Sequence, residues 1–577
     1  MKCMMKVAFA FLAVLALAAG SATVKAQTVV LNGLGSSGLF LELGLGANDA
    51  SGLINAPCVW SENTNTVAAN DDSTSGVATL TDKGSAWVAW TTGGGTCAAP
   101  GTTAKVYTYL STDSVVGNRC LYNSNLSTRE CWLSFPTTAA TPAGLILPTT
   151  GTCGSTGECT LPTSIELVLN SSSLKVNYAG TDIRPEDAEF AIQRAHANCG
   201  SVITGSTQYL GLGYAYGSQI KSGITGSTST FNVINFTLPS FYVTSVGATP
   251  IVVAVNDNSG TGLAHYTNIT SQTLADFLDG TYSYTGQVAS PTGTGSPVTV
   301  YIREPLSGTY NTMEFNVPNR IGTLTGTRTY GTSQDVGYNQ TIANQRNCTV
   351  TSPWPVPSTT TSTVANGGLM DIETASTGHR IRAIGTGQEL SSVVGNLSNS
   401  IGYAFWSAAN FAPFSAVTSS AKYYTVDSVD PLGKSGIIPT TPSEISGVSL
   451  STTADGKYPI WSMLRLVNVG TTQNAAVNDL ALAAQTYANP SHPDFVTLAN
   501  MLVVRSHFNP PSQSVTLSNG SGGTGRATTC STTETGGDVG GTIAGLNVAA
   551  LSQSPLTVSE ESYCTSTSTA GQTGHRR

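Results

Sequence analysis

The chain has 577 residues and a formal net charge of −8, and only 10% of its residues are charged. This length suffices for two or three domains. A negative balance without a basic run argues against a nucleic-acid partner, and a bound anion would need local hydrogen-bond donors because the overall field repels it.

The first 26 residues have the pattern of a secretory signal peptide. A basic start precedes an apolar run and small residues, and Val24 and Ala26 fit the positions before a cleavage site, so that the mature chain would begin at Gln27. Cys3 lies in the basic region, so we predict no lipid anchor there. No later apolar run is long enough to cross a bilayer. We therefore expect a periplasmic or secreted protein.

The cysteines indicate disulfide bonds. Removing Cys3 from the 11 cysteines leaves ten, an even number in a chain that we expect to be exported. The near pairs Cys120/Cys131 and Cys153/Cys159 are candidates, but connectivity does not follow from the sequence. A zinc site is the weaker interpretation, since there is no C-x-x-C pair and the histidines are scattered. We predict no metal and no cofactor.

Segment 27–174 is typical of strands separated by Gly-, Ser- and Thr-rich loops. Alternating, β-branched and aromatic residues in AWVAWTT and AKVYTYLST predict strands. In TVVLNGLGSSGLF, a strand precedes the small residues Gly35, Ser36, Ser37 and Gly38, which form a turn whose amides can face an anion. Together with Gly33, the glycines also match the dinucleotide motif G-x-G-x-x-G, which is weak alone and less expected in an exported chain. A plain tight turn is the alternative.

From residue 175 onward, strands alternate with helices. LKVNYAGTDIRPEDAEFAIQRAHANCG predicts a strand, a turn at Thr181-Asp182 and a helix. TPIVVAVND predicts a buried strand, TNITSQTLADFLDG a helix capped by Thr270, and PVTVYIREPLSGTYNTMEF another strand–turn–helix unit. NSIGYAFWSAANF and YPIWSMLRLVNV predict apolar strands or strand–helix joints, and HPDFVTLANMLVV predicts a helix. This alternation predicts an α/β protein with mainly parallel sheets.

Two of the turns combine charge with hydrogen-bonding groups. In REPLSGTYN, Arg303 offers a two-pronged donor face to a tetrahedral oxyanion. Ser307 and Thr309 add hydroxyls beside the Gly308 amide at a helix start. Asp182 can only accept hydrogen bonds when ionised, so it would select an anion that keeps a proton. Surface turns and ordinary N-caps are the alternative for each turn taken alone. Ligands of α/β sheets bind at the carboxyl ends of strands, where these turns are expected.

In their order, these turns resemble those of the phosphate-binding proteins of ABC-type phosphate importers, in the type II periplasmic-binding-protein superfamily. The quoted matches are NGLGSSG, the serine turn after VYTYLST, the turn AGTD, and the Arg…Ser-Gly-Thr cluster. ITSQTLADFLDG resembles the helix after the family's first crossover. GTGQELSSVVGNLSNSIGYAFW and YPIWSMLRLV resemble its Gly-rich helix start, its Ile-Gly-Tyr strand and the strand that returns to the first lobe. The resemblance covers most of residues 28–70 and 175–510 at low identity.

The resemblance implies a two-lobed α/β fold of the periplasmic-binding-protein type II class, with a β-rich, disulfide-containing insertion in the first lobe. The separation of Ser37 from Asp182, 182 − 37 = 145 positions, exceeds what the family needs. The implied divisions are 1–26 signal peptide, 27–257 lobe 1 with an insertion at about 55–170, 258–457 lobe 2, 458–513 return to lobe 1, and 514–577 a Gly/Ser/Thr-rich tail. The implied ligand-binding residues are Ser37, Gly38, Ser114, Asp182, Arg303, Ser307, Gly308 and Thr309.

The implied function is capture of a small oxyanion, phosphate above all, for uptake through an ABC permease, by an expected monomer and without covalent chemistry. Where this chain has Pro305, the family carries an aspartate that helps to hold the arginine, so the departure affects ligand identity. An enzyme is disfavoured, since G-x-S-x-G and H-E-x-x-H motifs are absent. The alternative is a non-enzymatic surface, structural or adhesion protein built on a degenerate binding-protein scaffold.

Overall fold

The structure, a computed structural model, describes only part of the chain. The described residues are 27–49, 52–63, 66–71, 80–123, 131–146, 153, 157–183, 241–257, 260–278, 281–303, 307–317, 370–371, 379–383, 385–395, 399–416, 420–487, 493–501, 504–505, 538–539, 542–543 and 546–547. The predicted signal peptide, the helix predicted after Asp182, Pro305, and nearly all of the tail lie outside these residues. So do the cysteines at positions 199, 348, 530 and 564.

The described residues form a mixed α/β structure. The α-helices are α1 (Phe40–Asn48), α2 (Ser114–Asn123), α3 (Thr163–Leu169), α4 (Ser271–Leu278), α5 (Gly308–Asn316), α6 (Thr386–Gly395), α7 (Ala408–Phe411), α8 (Pro442–Ile445), α9 (Ser451–Ala454) and α10 (Asn474–Tyr487). Within the described ranges, no helix has the length and apolar character that a membrane crossing requires.

The strands differ widely in length. They are β1 (Thr28–Ser36), β2 (Cys58–Glu62), β3 (Ala68–Asp71), β4 (Leu80–Lys83), β5 (Ser85–Trp90), β6 (Lys105–Thr112), β7 (Cys131–Ser134), β8 (Tyr178–Thr181), β9 (Phe241–Asn256), β10 (Asn268–Ile269), β11 (Thr299–Arg303), β12 (Met370–Asp371), β13 (His379–Ala383), β14 (Ser400–Phe405), β15 (Lys422–Tyr423), β16 (Thr425–Val426), β17 (Trp461–Val469), β18 (Val496–Thr497), β19 (Val504–Arg505), β20 (Asp538–Val539), β21 (Thr542–Ile543) and β22 (Leu546–Asn547).

One 13-stranded sheet organises the fold. Its order is β12-β13-β11-β14-β9-β17-β8-β1-β6-β5-β2, with β15 and β18 also paired to β9. The long strand β9 joins two parts of this sheet, because Phe241–Pro250 pairs with β17 and Ile251–Asn256 pairs with β14. We call β17-β8-β1-β6-β5-β2 the first half-sheet and β14-β11-β13-β12 the second half-sheet. The two-lobe division inferred from the sequence stays a prediction.

Several predicted elements are present, although β9 begins at Phe241, well before the predicted strand. β9 contains the predicted buried strand TPIVVAVND and is buried along almost its whole length. The predicted strand–turn–helix around REPLSGTYN forms β11 and α5, and the Ser307 hydroxyl caps α5 by accepting from the amide of Tyr310 at 3.3 Å. Thr270 caps α4 by accepting from the amide of Thr273 at 3.0 Å. Local capping chemistry thus explains where these helices begin.

The prediction of mainly parallel sheets was wrong, because the large sheet is mixed. β1 pairs in parallel with β6 and β8, and β11 pairs in parallel with β13 and β14. However, β9 runs antiparallel to β14 and β17, and β5 runs antiparallel to β6. An antiparallel strand with one solvated face shows alternating apolar and polar residues, which identifies it in a sequence. These strands are buried on both faces, so their sequences lack that alternation.

The helix predicted in HPDFVTLANMLVV was also wrong. The segment instead contains β18 and a 3-10 turn at Leu498–Asn500, and it ends at the first residue of β19. β18 pairs with Gly247 and Ala248 of β9. A short apolar run fits a buried strand as well as a buried helix, and here the pairing with β9 decides between them.

Disulfides and tryptophans stabilise the Cys-rich region of the first half-sheet. The disulfide pairs are Cys58–Cys97, Cys120–Cys131 and Cys153–Cys159, so both near pairs considered from the sequence are present. Trp60, Trp87 and Trp90 are fully buried. Each indole N–H donates to a backbone carbonyl at 2.9–3.1 Å, which removes the cost of burying an unpaired donor. β2, β5 and β6 of this region belong to the large sheet itself.

A buried pair of carboxyl groups links α1 to the segment before β18. Glu42 and Asp494 are both buried, and their carboxyl groups are close enough to influence each other's titration. Two buried like charges repel one another, so this environment favours a bound proton. Asp494 also accepts a hydrogen bond from the Ala408 amide at 2.8 Å. Burial and then the nearby Asp494 raise the pKa of Glu42 well above its ordinary value, and burial raises the pKa of Asp494 to about 6.

This carboxyl pair predicts a pH dependence of stability. Because the folded-state pKa values lie above the unfolded ones, folding favours the protonated pair, and stability falls as the pH rises from about 4 through the folded-state values. We expect Glu42→Gln, which removes the charge at nearly constant volume, to raise the free energy of unfolding at pH 7 and to flatten its fall above pH 4. Urea unfolding at several pH values measures both effects. A variant with the wild-type pH profile would contradict the assignment.

Candidate functional site

Carboxyl ends of parallel strands from both half-sheets supply the predicted site residues. β1, β6 and β8 are parallel neighbours in the first half-sheet, and β11 and β13 are parallel neighbours in the second. The polar residues at or just after these strand ends are Ser36, Ser37, Asp113, Ser114, Asp182, Arg303 and Thr386. This set includes the residues that make contacts between the two half-sheets, and we call the region the junction.

Asp182 is held by hydroxyl groups of the first half-sheet. Its carboxylate accepts hydrogen bonds from the hydroxyl of Ser36 at 3.2 Å and from the hydroxyl of Ser114 in a short contact. The amide of Asp182 donates to Ser114 Oγ at 3.2 Å. Ser462 of β17 donates to the Asp182 carbonyl at 2.5 Å. These bonds fix the carboxylate at the end of β8.

The environment of Asp182 shifts its titration toward neutral pH. Burial raises the pKa of Asp182 to about 6, while the hydrogen bonds from Ser114 and Ser36 and the charge of Arg303 act in the opposite direction. Asp182 is therefore mainly ionised at pH 7 and can accept a hydrogen bond from a protonated ligand. It takes up a proton as the pH falls through about 6.

α5 of the second half-sheet approaches Asp182 so closely that residue 308 must lack a side chain. A Cβ on Gly308 would overlap the carboxylate of Asp182 and would lie 2.5 Å from Ser114 Oγ. The N-terminal turn of α5 therefore contacts an acceptor and a hydroxyl that belong to the first half-sheet. This contact explains the glycine of the predicted Ser-Gly-Thr cluster by sterics.

The close approach predicts a large effect for a single methyl group. We expect Gly308→Ala to destabilise the protein by about 1–3 kcal/mol, because Asp182 is short, buried and held by two hydroxyls and cannot move aside cheaply. Gly387→Ala is the matched control, since a Cβ there meets nothing within 4 Å and alanine favours the helix. Urea unfolding compares the two variants. Equal effects would show that the α5 contact is loose.

Arg303 is held from both sides of the junction. Its guanidinium donates to Asp113 Oδ1 at 2.7 Å in the first half-sheet and to Thr386 Oγ1 at 2.5 Å in the second. Its backbone amide donates to the hydroxyl of Tyr403 at 3.3 Å. Thr386 Oγ1 in turn lies 3.2 Å from Ser37 Oγ. The arginine, 2% exposed, thus belongs to a polar chain that begins and ends in the first half-sheet.

The predicted site residues take different positions around this chain. Asp182, Ser114 and Gly308 are in mutual contact, as described above. Ser37 contacts Thr386, the partner of Arg303. Ser307 and Thr309 are buried at the start of α5, and the Gly38 amide donates to Ser36 Oγ at 3.3 Å. All eight predicted residues therefore lie at the junction or in the segments next to it, including the first turn of α5.

Four of the residues that organise the junction were not assigned a binding role from the sequence: Ser36, Asp113, Thr386 and Ser462. Three of them carried a usable signal. Asp113 directly precedes Ser114, Ser36 precedes Ser37, and Thr386 lies in the quoted stretch GTGQELSS. Ser462 sits inside an apolar strand pattern and gave no such signal. Asp113 matters most, because its carboxylate pairs with the Arg303 guanidinium. In the sequence, the turn that follows Arg303 has Pro305 where an aspartate would have been expected to hold the arginine.

One group of potential metal ligands occurs within the described part of the chain. The sulfur atoms of Cys97, Cys153 and Cys159 lie within 4.8 Å of one another. All three are in disulfides, so the oxidised chain offers no thiolate there. We assign no metal to this group.

Comparison with known proteins finds weak structural similarity. No protein-family model and no curated protein matches the chain. Among solved structures, it is similar to a phosphate-binding protein from Stenotrophomonas maltophilia at 13% identity, covering 68% of this chain and 84% of that one with a TM-score of 0.32. It is also similar to an ABC-type phosphate transport receptor from Vibrio cholerae at 12% identity, covering 56% and 80% with a TM-score of 0.26. Similarity at this level does not identify a ligand for this chain. An inference about the ligand therefore has to come from the contacts described above.

Proposed function

We propose that the protein is an extracytoplasmic solute-binding protein that captures a small oxyanion, with phosphate as the expected ligand, for uptake through an ABC-type permease. The observation that carries this proposal is the convergence of Arg303, Asp182 and the N-terminus of α5 at the junction. A guanidinium, helix amides and hydroxyls are donors for a tetrahedral oxyanion. A carboxylate beside them is an acceptor for a proton that the ligand keeps.

The acceptor favours phosphate over sulfate. Near pH 7 phosphate retains a proton, whereas sulfate has none to donate. Arg303 would carry the charge match, and Asp182 would accept the ligand's proton in a hydrogen bond. The further donors proposed are the hydroxyls of Ser37, Ser114, Ser307 and Thr309 and the amides of Gly38 and Gly308. Binding of this kind needs no covalent step, and we propose a monomer that is not an enzyme.

A second candidate function follows from how completely the junction groups hydrogen-bond to one another. Arg303 is paired with Asp113, and Asp182 accepts from Ser36 and Ser114. A scaffold that no longer binds a solute would show the same mutual pairing. The second candidate is therefore a non-enzymatic surface or adhesion protein built on a binding-protein scaffold.

Isothermal titration of the mature protein, beginning at Gln27, separates the two candidates. We expect saturable binding of phosphate and arsenate, with sulfate at least about tenfold weaker because an unpaired acceptor at Asp182 costs about 1–3 kcal/mol. Thermal shifts with the same anions provide an independent readout. Absence of both heat and thermal shift with all three anions would contradict the proposed function and favour the scaffold.

A further inference from the structure

A buried ion pair bridges the two half-sheets at the junction. Arg303 and Asp113 are 190 positions apart in the sequence, and their charged atoms lie 2.7 Å apart. Both side chains are shielded from water, at 2% and 7% exposure. Arg303 ends β11 of the second half-sheet, and Asp113 follows β6 of the first. The pair therefore joins segments that belong to different parts of the sheet.

The shielding gives this pair more influence than a surface ion pair would have. Exposed pairs contribute little, whereas removal of one partner from a buried pair leaves an uncompensated charge. Separation of the half-sheets at the junction would break the Arg303–Asp113 contact together with the Thr386–Ser37 contact. The Thr386 hydroxyl, 2.5 Å from Arg303, would stay with the arginine, since both belong to the second half-sheet.

We propose that the Asp113–Arg303 ion pair is a latch that holds the two half-sheets together at the junction before any ligand binds, and that Asp113 is the positioning residue for the Arg303 guanidinium. The positioning role rests on the proposed function, because it concerns the group that would face the oxyanion. The latch does not, and it can be tested without any ligand.

The test compares hydrogen–deuterium exchange in the full mature protein without ligand. The variants are Asp113→Asn, which removes the charge, and Asp113→Glu, which keeps it. Asp82→Asn is the matched control, because Asp82 of β4 forms a buried ion pair with Arg119 of α2 at 2.5 Å, and neither residue belongs to the second half-sheet. The reporter peptides carry Gly308–Thr312 and Thr386–Leu390, and a peptide from β2 reports general loosening.

We expect Asp113→Asn to exchange about tenfold faster in both reporter peptides and to leave the β2 peptide unchanged, since local opening exposes only the junction. Asp113→Glu should restore part of the protection, and Asp82→Asn should leave the reporter peptides as in the wild type. Unchanged exchange in Asp113→Asn, or an equal increase in the β2 peptide, would overturn the latch.

A phosphate arm tests the positioning role on its own. The experiment is a double-mutant cycle of Asp113→Asn, Arg303→Ala and the double variant. Asp113→Asn should weaken phosphate binding about tenfold when Arg303 is present and less than about twofold when Arg303 has been replaced by alanine. Unchanged or tighter phosphate binding in Asp113→Asn would overturn positioning. If the wild type binds no phosphate, the proposed function and the positioning role both fail, while the ligand-free exchange result still decides the latch.

Discussion

Replacement of Arg303 by alanine is expected to weaken phosphate binding by at least about 100-fold and to lower the free energy of unfolding by about 3–5 kcal/mol. Affinity falls because the variant lacks the guanidinium that would contact the anion at the junction. Stability falls because the buried Asp113 carboxylate loses its contact with the Arg303 guanidinium, and Thr386 loses a donor. Isothermal titration and urea unfolding of the same preparation measure the two effects separately.

Arg119→Ala is the control for this substitution. Arg119 is a second buried arginine and pairs with Asp82 at 2.5 Å, so its removal should also reduce stability. It should leave phosphate affinity within about twofold, because neither partner belongs to the junction. A loss of affinity that is equal in the two variants would mean that binding responds to general destabilisation, which would contradict the role assigned to Arg303.

The second large effect is expected for Asp182→Asn. An asparagine amide can donate toward a ligand oxygen that carries no proton, whereas the Asp182 carboxylate can only accept. We expect phosphate affinity to fall about 10- to 100-fold, since an unmatched buried hydrogen bond costs about 1–3 kcal/mol, and sulfate affinity to rise relative to phosphate. Parallel titrations with the two anions measure this change in selectivity.

The pH dependence of the preference for phosphate over sulfate is a second test of the role of Asp182. Because its pKa is about 6, the wild-type preference for phosphate over sulfate should weaken as the pH falls through 6. Asp182→Asn has no such group and should show a selectivity that changes little with pH in that range. The same pH profile in both proteins would mean that another group distinguishes the anions.

The parts of the fold that follow from local chemistry were predictable from the sequence. β11 and α5 are specified by three local features: the β-branched residues of β11, the Ser307 cap and Gly308 at the start of α5. The sheet direction was less predictable, since the buried strand β9 is as continuously apolar as a parallel strand would be. Its neighbours, rather than its own residues, make it antiparallel.

The site was predictable in its components but not in its pairings. The strand ends carry Arg303, Asp182 and Ser114 in recognisable turns, yet no local pattern connects Arg303 to Asp113 across 190 positions. The sequence also did not indicate which of the neighbouring serines, Ser36 or Ser37, contacts Asp182. At the end of β1, Ser36 contacts Asp182 while Ser37 contacts Thr386, because successive side chains point in different directions.

The most direct test of the account is a crystal structure of the mature protein grown with arsenate and measured at the arsenic absorption edge. We predict one dominant anomalous peak at the junction, within hydrogen-bond distance of the Arg303 guanidinium and the Gly308 amide, with Asp182 as the acceptor for the ligand's proton. An ordered junction without arsenic, or an arsenic peak elsewhere on the chain, would contradict the claim that this junction is an oxyanion site.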